Sequence, residues 1–392
     1  MAREYPPHPG ATGMHPPPHV LHVVPVLYGP SGRIMGGAER YAFELARHMA
    51  ERVPTRLVSF GTEARDERHG ALAVRIIGGA RHINGHPYNP FARQVVPEMV
   101  RADIVHCHQQ NVFVARLAAT LRRVTRRRAF VTDHGGGAWD FSSRFPATRW
   151  FDGYLHVSEF SRRSAGQEHE PRAQVIHGGV DLDLFSPPSA PTARSRALFV
   201  GRLLPHKGVD TLIEALPPGV GLDVAGTPLD ERYRADLEAL ARGRDVRFHH
   251  DWDDAKVREA YRSAACLVLP SVYRDRYGGK SAVPELLGQT LLEGMACATP
   301  VICTAVGGMP EVVEDGVTGF VVPPGDVAVL REKLAALVRD PDAARRMGLA
   351  GHDRVRRVFT WDVVVRRCLQ AYDAAARTEH GPCGRPRAGM PL

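Results

Sequence analysis

Short apolar runs alternate with amphipathic stretches along most of the chain. The clearest amphipathic stretch of the first half is ERYAFELARHMA at 39–50, where apolar residues return at helical spacing. The apolar runs contain few alternating polar residues, which is typical of parallel strands covered on both faces. The pattern therefore predicts an α/β fold with a parallel sheet. Strands of the first half are expected at 19–27, 55–60, 73–77, 102–106 and 129–133.

The same alternation starts again at Arg196. Between the two series lies segment 183–192, whose prolines and small polar residues are typical of an interdomain linker. We therefore predict two α/β domains, residues 19–185 and 186–378, with a cleft at the carboxyl ends of both sheets. The last helix could pack back on the first domain. Strands of the second half are expected at 197–201, 222–226, 246–250, 266–270, 300–304 and 319–323, and helices at 209–216, 229–242 and 285–297.

Composition and the two ends of the chain narrow the class of protein. Hydrophobic residues make up 44% and charged residues 24%, as in globular proteins. Residues 1–18 and 379–392 lack a periodic apolar pattern, so we expect disordered tails there. No run of 18 apolar residues occurs, the first 18 residues do not resemble a signal peptide, and the six cysteines form no CxxC pair. We therefore expect a cytoplasmic protein with reduced thiols.

The formal net charge is +8, and arginine supplies most of it, because only four residues are lysine. This charge suits an anionic ligand, nucleic acid or an acidic membrane surface. The run RRVTRRR at 122–128 has no interleaved aromatic residues and no nucleic-acid-binding module around it. We expect no nucleic-acid partner and leave open a peripheral contact with the inner face of the membrane, as well as the oligomeric state.

Segment 283–297 carries two glutamates eight positions apart, Glu285 and Glu293, on either side of Gly288. In a continuous helix this spacing spans about 12 Å, enough to reach two ends of a nucleotide-sized ligand. A helix that begins near Gly288 would offer unpaired amides to a diphosphate. The two carboxylates could then accept hydrogen bonds from ligand hydroxyls. The alternative is a capped surface helix with two solvated glutamates.

Two further loops follow expected strands. Arg202 and Lys207 lie five positions apart after a glycine turn, where they could neutralise phosphate, or else form a salt-bridged loop. Gly36 and Gly37 would let the backbone approach a ligand before the first helix. Since the GxGxxG spacing is absent, these glycines do not indicate a nicotinamide dinucleotide site.

Three histidines raise the question of a metal site. His106, Cys107 and His108 follow one another on an expected strand, and His134 ends the next. Because Cys107 points away from the face that the two histidines share, a closed Cys/His metal site is not expected. We interpret His106 and His108 as lining the acceptor side of the cleft, with ordinary core histidines as the alternative.

Taken in order, these motifs resemble the retaining glycosyltransferases of family 4, which have the GT-B architecture of two Rossmann-like domains with parallel sheets around a central cleft. The resemblance covers most of the chain. Its motifs are GGAER at 36–40, DIVHCH at 103–108, VTDHGG at 131–136, VIHGGVDLDLF at 175–185, VGRLLPHKG at 200–208, the two glutamates, and TPVICTAVGGMPEVVEDGVTGFVVPPGD at 299–326.

The resemblance implies roles for individual residues. Arg202 and Lys207 would clamp the diphosphate, and Glu285 would orient hydroxyls of the transferred sugar. Glu293 would bind the ribose, and His134 would face the sugar near the reacting carbon. The residues whose backbone would assist with the diphosphate are Gly36, Gly37, Gly288, Gln289 and Thr290.

The implied activity is retaining, metal-independent transfer of a hexose-type sugar from a GDP- or UDP-type donor, without a cofactor, to an unidentified lipid, glycan or small metabolite. The alternatives are a sugar-nucleotide epimerase or phosphorylase of the same fold and, more remotely, a nicotinamide-dependent oxidoreductase. No acceptor is implied by fold alone.

The sequence also departs from the family pattern. Thirteen residues, 272–284, separate Ser271 from Glu285, where the family has only a few. His177 stands where an asparagine is usual, and His250 where a glycine is usual. We expect the long loop to touch donor or acceptor, with an inert surface insertion as the alternative. Its residues that could do so are Arg274, Arg276, Tyr277 and Lys280.

Overall fold

The computed structural model describes residues 16–29, 32, 34, 36–135, 146–189, 194 and 196–379. Most of the expected tails, residues 190–192 of the expected linker and Gly136 of the VTDHGG motif lie outside these residues. The change from one sheet to the other falls between Val175 and Arg196.

The first sheet is built mainly from the apolar runs of the first half. Its order is β10-β9-β8-β7-β1-β2-β4-β3, and all pairs are parallel except β3 with β4. The strands that precede residue 80 are β1 (Val20–Val23), β2 (Thr55–Phe60), β3 (Arg65–His69) and β4 (Leu72–Ile77). Those that follow residue 100 are β7 (Ile104–His108), β8 (Arg128–Thr132), β9 (Gly153–His156) and β10 (Ala173–Val175). A separate short hairpin consists of β5 (Arg81–His82) and β6 (Pro90–Phe91).

The second sheet is parallel throughout, in the order β13-β12-β11-β14-β15-β16. Two of its inner strands, CLVL and VICT, are mostly apolar and fully buried, because helices cover both faces. The strands are β11 (Arg196–Val200), β12 (Gly221–Ala225), β13 (Val246–His249), β14 (Cys266–Leu269), β15 (Val301–Thr304) and β16 (Gly319–Val322).

The helices of the first half are α1 (Gly37–Ala50), α2 (Val95–Arg101), α3 (Phe113–Val124) and α4 (Glu159–Ser164). The later helices are α5 (Val209–Ala215), α6 (Glu231–Leu240), α7 (Asp254–Ser263), α8 (Gln289–Ala296), α9 (Met309–Val312), α10 (Val327–Arg339), α11 (Pro341–Val358) and α12 (Trp361–Glu379). Within the described ranges, no helix combines the length and apolarity needed to cross a bilayer.

Strands β3, β9 and β10 of the first sheet were not among the expected strands, and one expected helix begins later than predicted. Strand β3, RDERH, was missed because it lies at the sheet edge with mostly exposed, charged side chains and so has no apolar pattern. The helix expected over 285–297 begins only at Gln289, after Gly288 with a φ of +90°. Glu285 therefore lies in the loop before the helix.

Both halves of the molecule share one buried core. Helix α12 crosses back to the first half, where Tyr372 is buried against Phe130 with ring centroids 4.6 Å apart. The Ser158 hydroxyl donates to the Leu286 carbonyl at 2.6 Å. Glu311 accepts hydrogen bonds from the amides of Glu159 and Phe160 at 2.8 and 2.9 Å. These contacts hold the two sheets around one cleft.

Candidate functional site

A cavity of about 410 Å³ lies in the cleft between the two sheets, a size typical of small-molecule sites. Loops that follow β1, β8, β11 and β14 surround it, and these are loops at the carboxyl ends of strands, where α/β sheets bind ligands. The residues singled out in the sequence that line it are Gly36, Gly37, His134, Arg202, Lys207, Glu285, Gly288, Gln289 and Thr290.

The two cations follow β11, on a turn whose shape depends on glycine. Lys207 ends a short turn of 3₁₀ helix, and Gly208 follows it with a φ of +68°. A Cβ at Gly208 would lie 2.1 Å from the carbonyl oxygen of Pro270. Since neither the conformation nor the space admits a side chain, glycine at this position places Lys207 against the cavity.

Lys207 pairs with Glu285 in this structure. The ammonium group of Lys207 forms a short hydrogen-bonded ion pair with Oε1 of Glu285, and the Ser271 hydroxyl lies 3.4 Å from the same oxygen. Both side chains are largely buried, with 14% and 15% exposure. The residue expected to bind phosphate and the residue expected to bind the sugar are therefore direct neighbours, a relation that their separation in sequence did not reveal.

Arg202 is exposed and lines the cavity. It also acts on Glu39 in the first turn of α1: burial raises the pKa of Glu39, and the Arg202 guanidinium opposes that rise. Arg202 of the second domain thus lies close to the N-terminal end of α1 in the first domain.

Helix α8 begins at the cavity. The first amides of an α-helix have no partner within it, so those of Gln289 and Thr290 are donors beside the cavity that these residues line. The Gln289 side chain itself donates to the carbonyl of Gly179 at 2.8 Å. Gly288 has a φ of +90°, a left-handed conformation that favours glycine in this turn.

Glu293 is not among the residues that line the cavity, and its role as the ribose ligand stays a prediction. Glu293 is 8% exposed, and its carboxylate accepts a hydrogen bond of 2.8 Å from the Tyr261 hydroxyl of α7. Burial raises its pKa to about 7. Because α8 starts at Gln289, only its first turn borders the cavity, and Glu293 lies a turn deeper, on the face packed against α7.

His106 and His108 are also placed differently from the expectation. Their side chains are 0% and 1% exposed and do not line the cavity, so neither forms an acceptor surface. Cys107 points to the opposite face of β7, as the strand geometry predicts, and packs in another apolar cluster. His134 does line the cavity, and Tyr41 packs against it edge to face at 4.9 Å between ring centroids.

His22 on β1 joins this group, and sequence reasoning missed it. In the sequence, His22 is a single histidine within an apolar run. The structure shows that the register of β1 against β7 places it beside His106. Nδ1 of His22 lies 3.0 Å from Nε2 of His108, and Nδ1 of His108 lies 3.2 Å from Nε2 of His134. Burial lowers the pKa of His22 to about 3 and that of His134 to about 4, so these imidazoles are neutral near pH 7.

Nitrogens of His22, His106 and His108 lie within 4.8 Å of one another, close enough to hold a metal ion. Hydrogen bonds already occupy them. The ring of His106 lies 2.8 Å from the Thr132 hydroxyl and 2.7 Å from that of Tyr372. The arrangement is therefore that of a hydrogen-bonded core cluster, and metal independence stays a prediction.

The long loop is fixed to the second domain. Val283 and Pro284 line the cavity, whereas the four residues expected to touch a ligand do not: Arg274, Arg276, Tyr277 and Lys280. The Tyr277 hydroxyl donates to Asp236 on α6 at 2.5 Å, and the Tyr273 hydroxyl accepts from the Gly307 amide at 2.9 Å. The tip of this loop therefore packs against its own domain.

The two departures from the family pattern have local partners. Nε2 of His177 lies 3.3 Å from Glu311, which joins the two halves of the molecule. Nδ1 of His250 lies 2.8 Å from the carbonyl of Gly226 at the end of β12. Neither histidine lines the cavity.

Two family models together match most of the chain. Residues 35–184 match the model described as Glycosyltransferase Family 4, and residues 183–354 match Glycosyl transferases group 1. The chain is 33% identical over 291 residues to a phosphatidyl-myo-inositol mannosyltransferase of Mycobacterium leprae, covering 70% of this chain and 74% of that protein. It is 28% identical over 428 residues to a D-inositol 3-phosphate glycosyltransferase of Geodermatophilus obscurus, covering 91% and 88%.

Solved structures share the fold. Sucrose-phosphate synthase of Thermosynechococcus elongatus aligns with a TM-score of 0.70 at 21% identity, covering 92% of this chain and all of that one. Anabaena HepE in complex with UDP and glucose aligns with a TM-score of 0.71 at 18% identity, covering 91% of this chain and all of HepE.

Proposed function

This chain belongs to glycosyltransferase family 4 and has the GT-B fold, and from that premise we propose that its cleft binds a nucleoside diphosphate sugar of the UDP or GDP type. The sugar is transferred with retention of configuration and without a metal ion or cofactor. The observation that supports this most is the meeting of Arg202, Lys207 and the start of α8 at one cavity.

These groups suit a diphosphate leaving group. In glycosyl transfer, negative charge grows on the departing phosphate while the sugar ring becomes positive. Cations and amides that are already in place lower the barrier, because they need not reorganise as the charge develops. Arg202 offers a planar fork and Lys207 a point charge, and the amides of Gln289 and Thr290 add the helix dipole.

Glu285 supplies the other half of the site. Its carboxylate is held by Lys207 and Ser271, and it lines the same cavity. An ionised carboxylate accepts hydrogen bonds only, so it suits sugar hydroxyls and leaves the phosphates to the cations. The diphosphate becomes a second anionic partner for Lys207 when the donor binds.

A panel of nucleoside diphosphates and their sugars tests the proposal. Ligand that binds only the folded state raises the melting temperature, and a concentration one hundred times Kd is worth about 2.7 kcal/mol. The proposal expects this shift with UDP or GDP compounds, with and without a chelator. It fails if none of them shifts the melting temperature, and metal independence fails if the chelator removes the shift.

Lys207→Ala tests the residue assignment. Loss of one such donor costs about 2.7–4 kcal/mol of transition-state stabilisation in other enzymes, so turnover should fall by roughly 10²–10³-fold while the protein stays folded. Lys280→Ala is the matched control, because this lysine is exposed on the neighbouring loop and does not line the cavity. Unchanged turnover in Lys207→Ala would contradict the assignment.

A further inference from the structure

Beneath the cavity, three imidazoles form a single line that ends at a thioether. His134 borders the cavity, His108 lies behind it, and His22 lies behind His108. At the far end, Nε2 of His22 lies 3.4 Å from Sδ of Met49 on α1. The side chains of His22 and Met49 are fully buried.

The thioether determines which nitrogens carry protons. Methionine sulfur can only accept, so this contact is a hydrogen bond when Nε2 of His22 carries the proton, and it favours that tautomer. A neutral imidazole has one N–H, and Nδ1 of His22 is therefore a lone pair that faces His108. Two lone pairs 3.0 Å apart would repel, so Nε2 of His108 carries its proton. The same step places the proton of His134 on Nε2 and leaves its Nδ1 bare.

The opposite set of tautomers differs in energy mainly at one contact, that between His22 and Met49. It would reverse both N–H···N bonds, place a lone pair of His22 against the lone pairs of Met49, and put the proton of His134 on Nδ1. Burial lowers the pKa of all three imidazoles, so each of them is neutral near pH 7. A protonated imidazolium in the line therefore does not decide between the two sets of tautomers. The direction of the line therefore depends on Met49.

The line cannot serve as a path for protons to solvent. It ends at a group that takes no proton, and His22 has no exposed surface. The lone pairs of His22 and His108 each accept a hydrogen bond within the line, so neither of these residues offers a nitrogen to a metal ion. What the line does determine is the tautomer of His134, its member that borders the cavity.

We propose that His108 and His22, anchored on Met49, are positioning residues that hold His134 as the Nε2–H tautomer. The unprotonated Nδ1 is then the nitrogen left to a ligand in the cavity. A bare imidazole nitrogen accepts a hydrogen bond, so it suits a hydroxyl of the bound sugar and not a phosphate oxygen. This last step rests on the proposed function, whereas the tautomer itself does not.

Nitrogen NMR of the full chain tests the tautomer without any substrate. Protein labelled with ¹⁵N in its histidine rings is measured near pH 7.5, and the His134 signals are assigned by their loss in His134→Asn. The proposal expects a protonated Nε2 and an unprotonated Nδ1 at His134. A protonated Nδ1, or a charged ring, would overturn it.

Two substitutions then test the anchor. Met49→Leu removes the sulfur at little change in volume, a kind of swap that usually costs under about 1.5 kcal/mol. We expect a second population of His134, with the proton on Nδ1; a spectrum identical to that of the parent would show that Met49 does not set the direction. His156→Leu is the matched control: this buried imidazole of the same sheet bonds to Ser161 and Gln167, outside the line.

Activity supplies the last readout. His108→Leu removes the acceptor that faces His134, and His108→Asn can place an amide oxygen near the lost Nδ1. Once the nucleotide-sugar substrate is known, kcat should fall roughly two- to tenfold in His108→Leu and recover in His108→Asn. Equal losses in both would mean that His108 only fills space. If no donor binds at all, the proposed function fails while the NMR result still decides the tautomer.

Discussion

Acid should weaken this fold through His22, whose imidazole is fully buried on β1. Burial lowers its pKa to about 3, from an ordinary value of 6.5. Between these values the unfolded chain binds a proton at His22 and the folded chain does not. The stability that the neutral imidazole contributes is therefore complete above about pH 6.5 and is lost as the pH falls.

The size of the effect follows from the same two values. One proton taken up only by the unfolded state lowers the free energy of unfolding by about 1.4 kcal/mol per pH unit. From pH 7.5 to pH 5.0, about one and a half of these units lie below the pKa of the unfolded imidazole, so His22 accounts for about 2 kcal/mol. Other groups titrate in this range as well, and a variant that lacks only this imidazole isolates its share.

Urea unfolding, followed by tryptophan fluorescence at several pH values in this range, measures the effect. His22→Leu should be less stable than the parent at pH 7.5, because His108 loses a hydrogen-bond partner. It should nevertheless lose about 2 kcal/mol less than the parent between pH 7.5 and pH 5.0. The same substitution at the exposed His169 is the matched control. Parallel pH curves for the parent and His22→Leu would refute the reasoning.

Three further substitutions test the cleft. Gly308→Ala should cost roughly 1–3 kcal/mol, because the new Cβ would lie 2.1 Å from the Leu286 carbonyl oxygen; an unchanged melting temperature would contradict this packing. Glu311→Ala removes the acceptor of two main-chain amides and should cost about 2 kcal/mol in urea unfolding, with no loss as the opposing result. Tyr277→Phe should cost about 1 kcal/mol through its bond to Asp236 yet leave the donor KM unchanged; a raised KM would place the loop in the site.

Much of the architecture could be predicted because it depends on hydrophobic patterns and turn residues within short segments of the sequence. The apolar runs and glycine turns indicated two parallel sheets, and a cavity lies among the loops that follow their strands. Arg202 and Lys207 line the cavity together with Glu285 and His134 for that reason. The charged edge strand β3 had no such pattern and was missed.

Relations between distant elements could not be predicted. The ion pair of Lys207 with Glu285 joins residues 78 positions apart, and the line from His22 to His134 crosses three strands. The sequence also could not show that α8 begins only at Gln289, or that the Glu293 carboxylate accepts a hydrogen bond from Tyr261.

The chain alone thus determined its family, its two-sheet architecture and the loops that carry chemistry, because hydrophobic periodicity and glycine turns act over a few residues. Only the tertiary structure decided which of those side chains meet. Strand register places His22 beside His106. It thereby buries His106 and His108, which the sequence had suggested as ligand-facing residues. Contacts of that kind depend on packing between segments far apart in sequence, and no short pattern contains them.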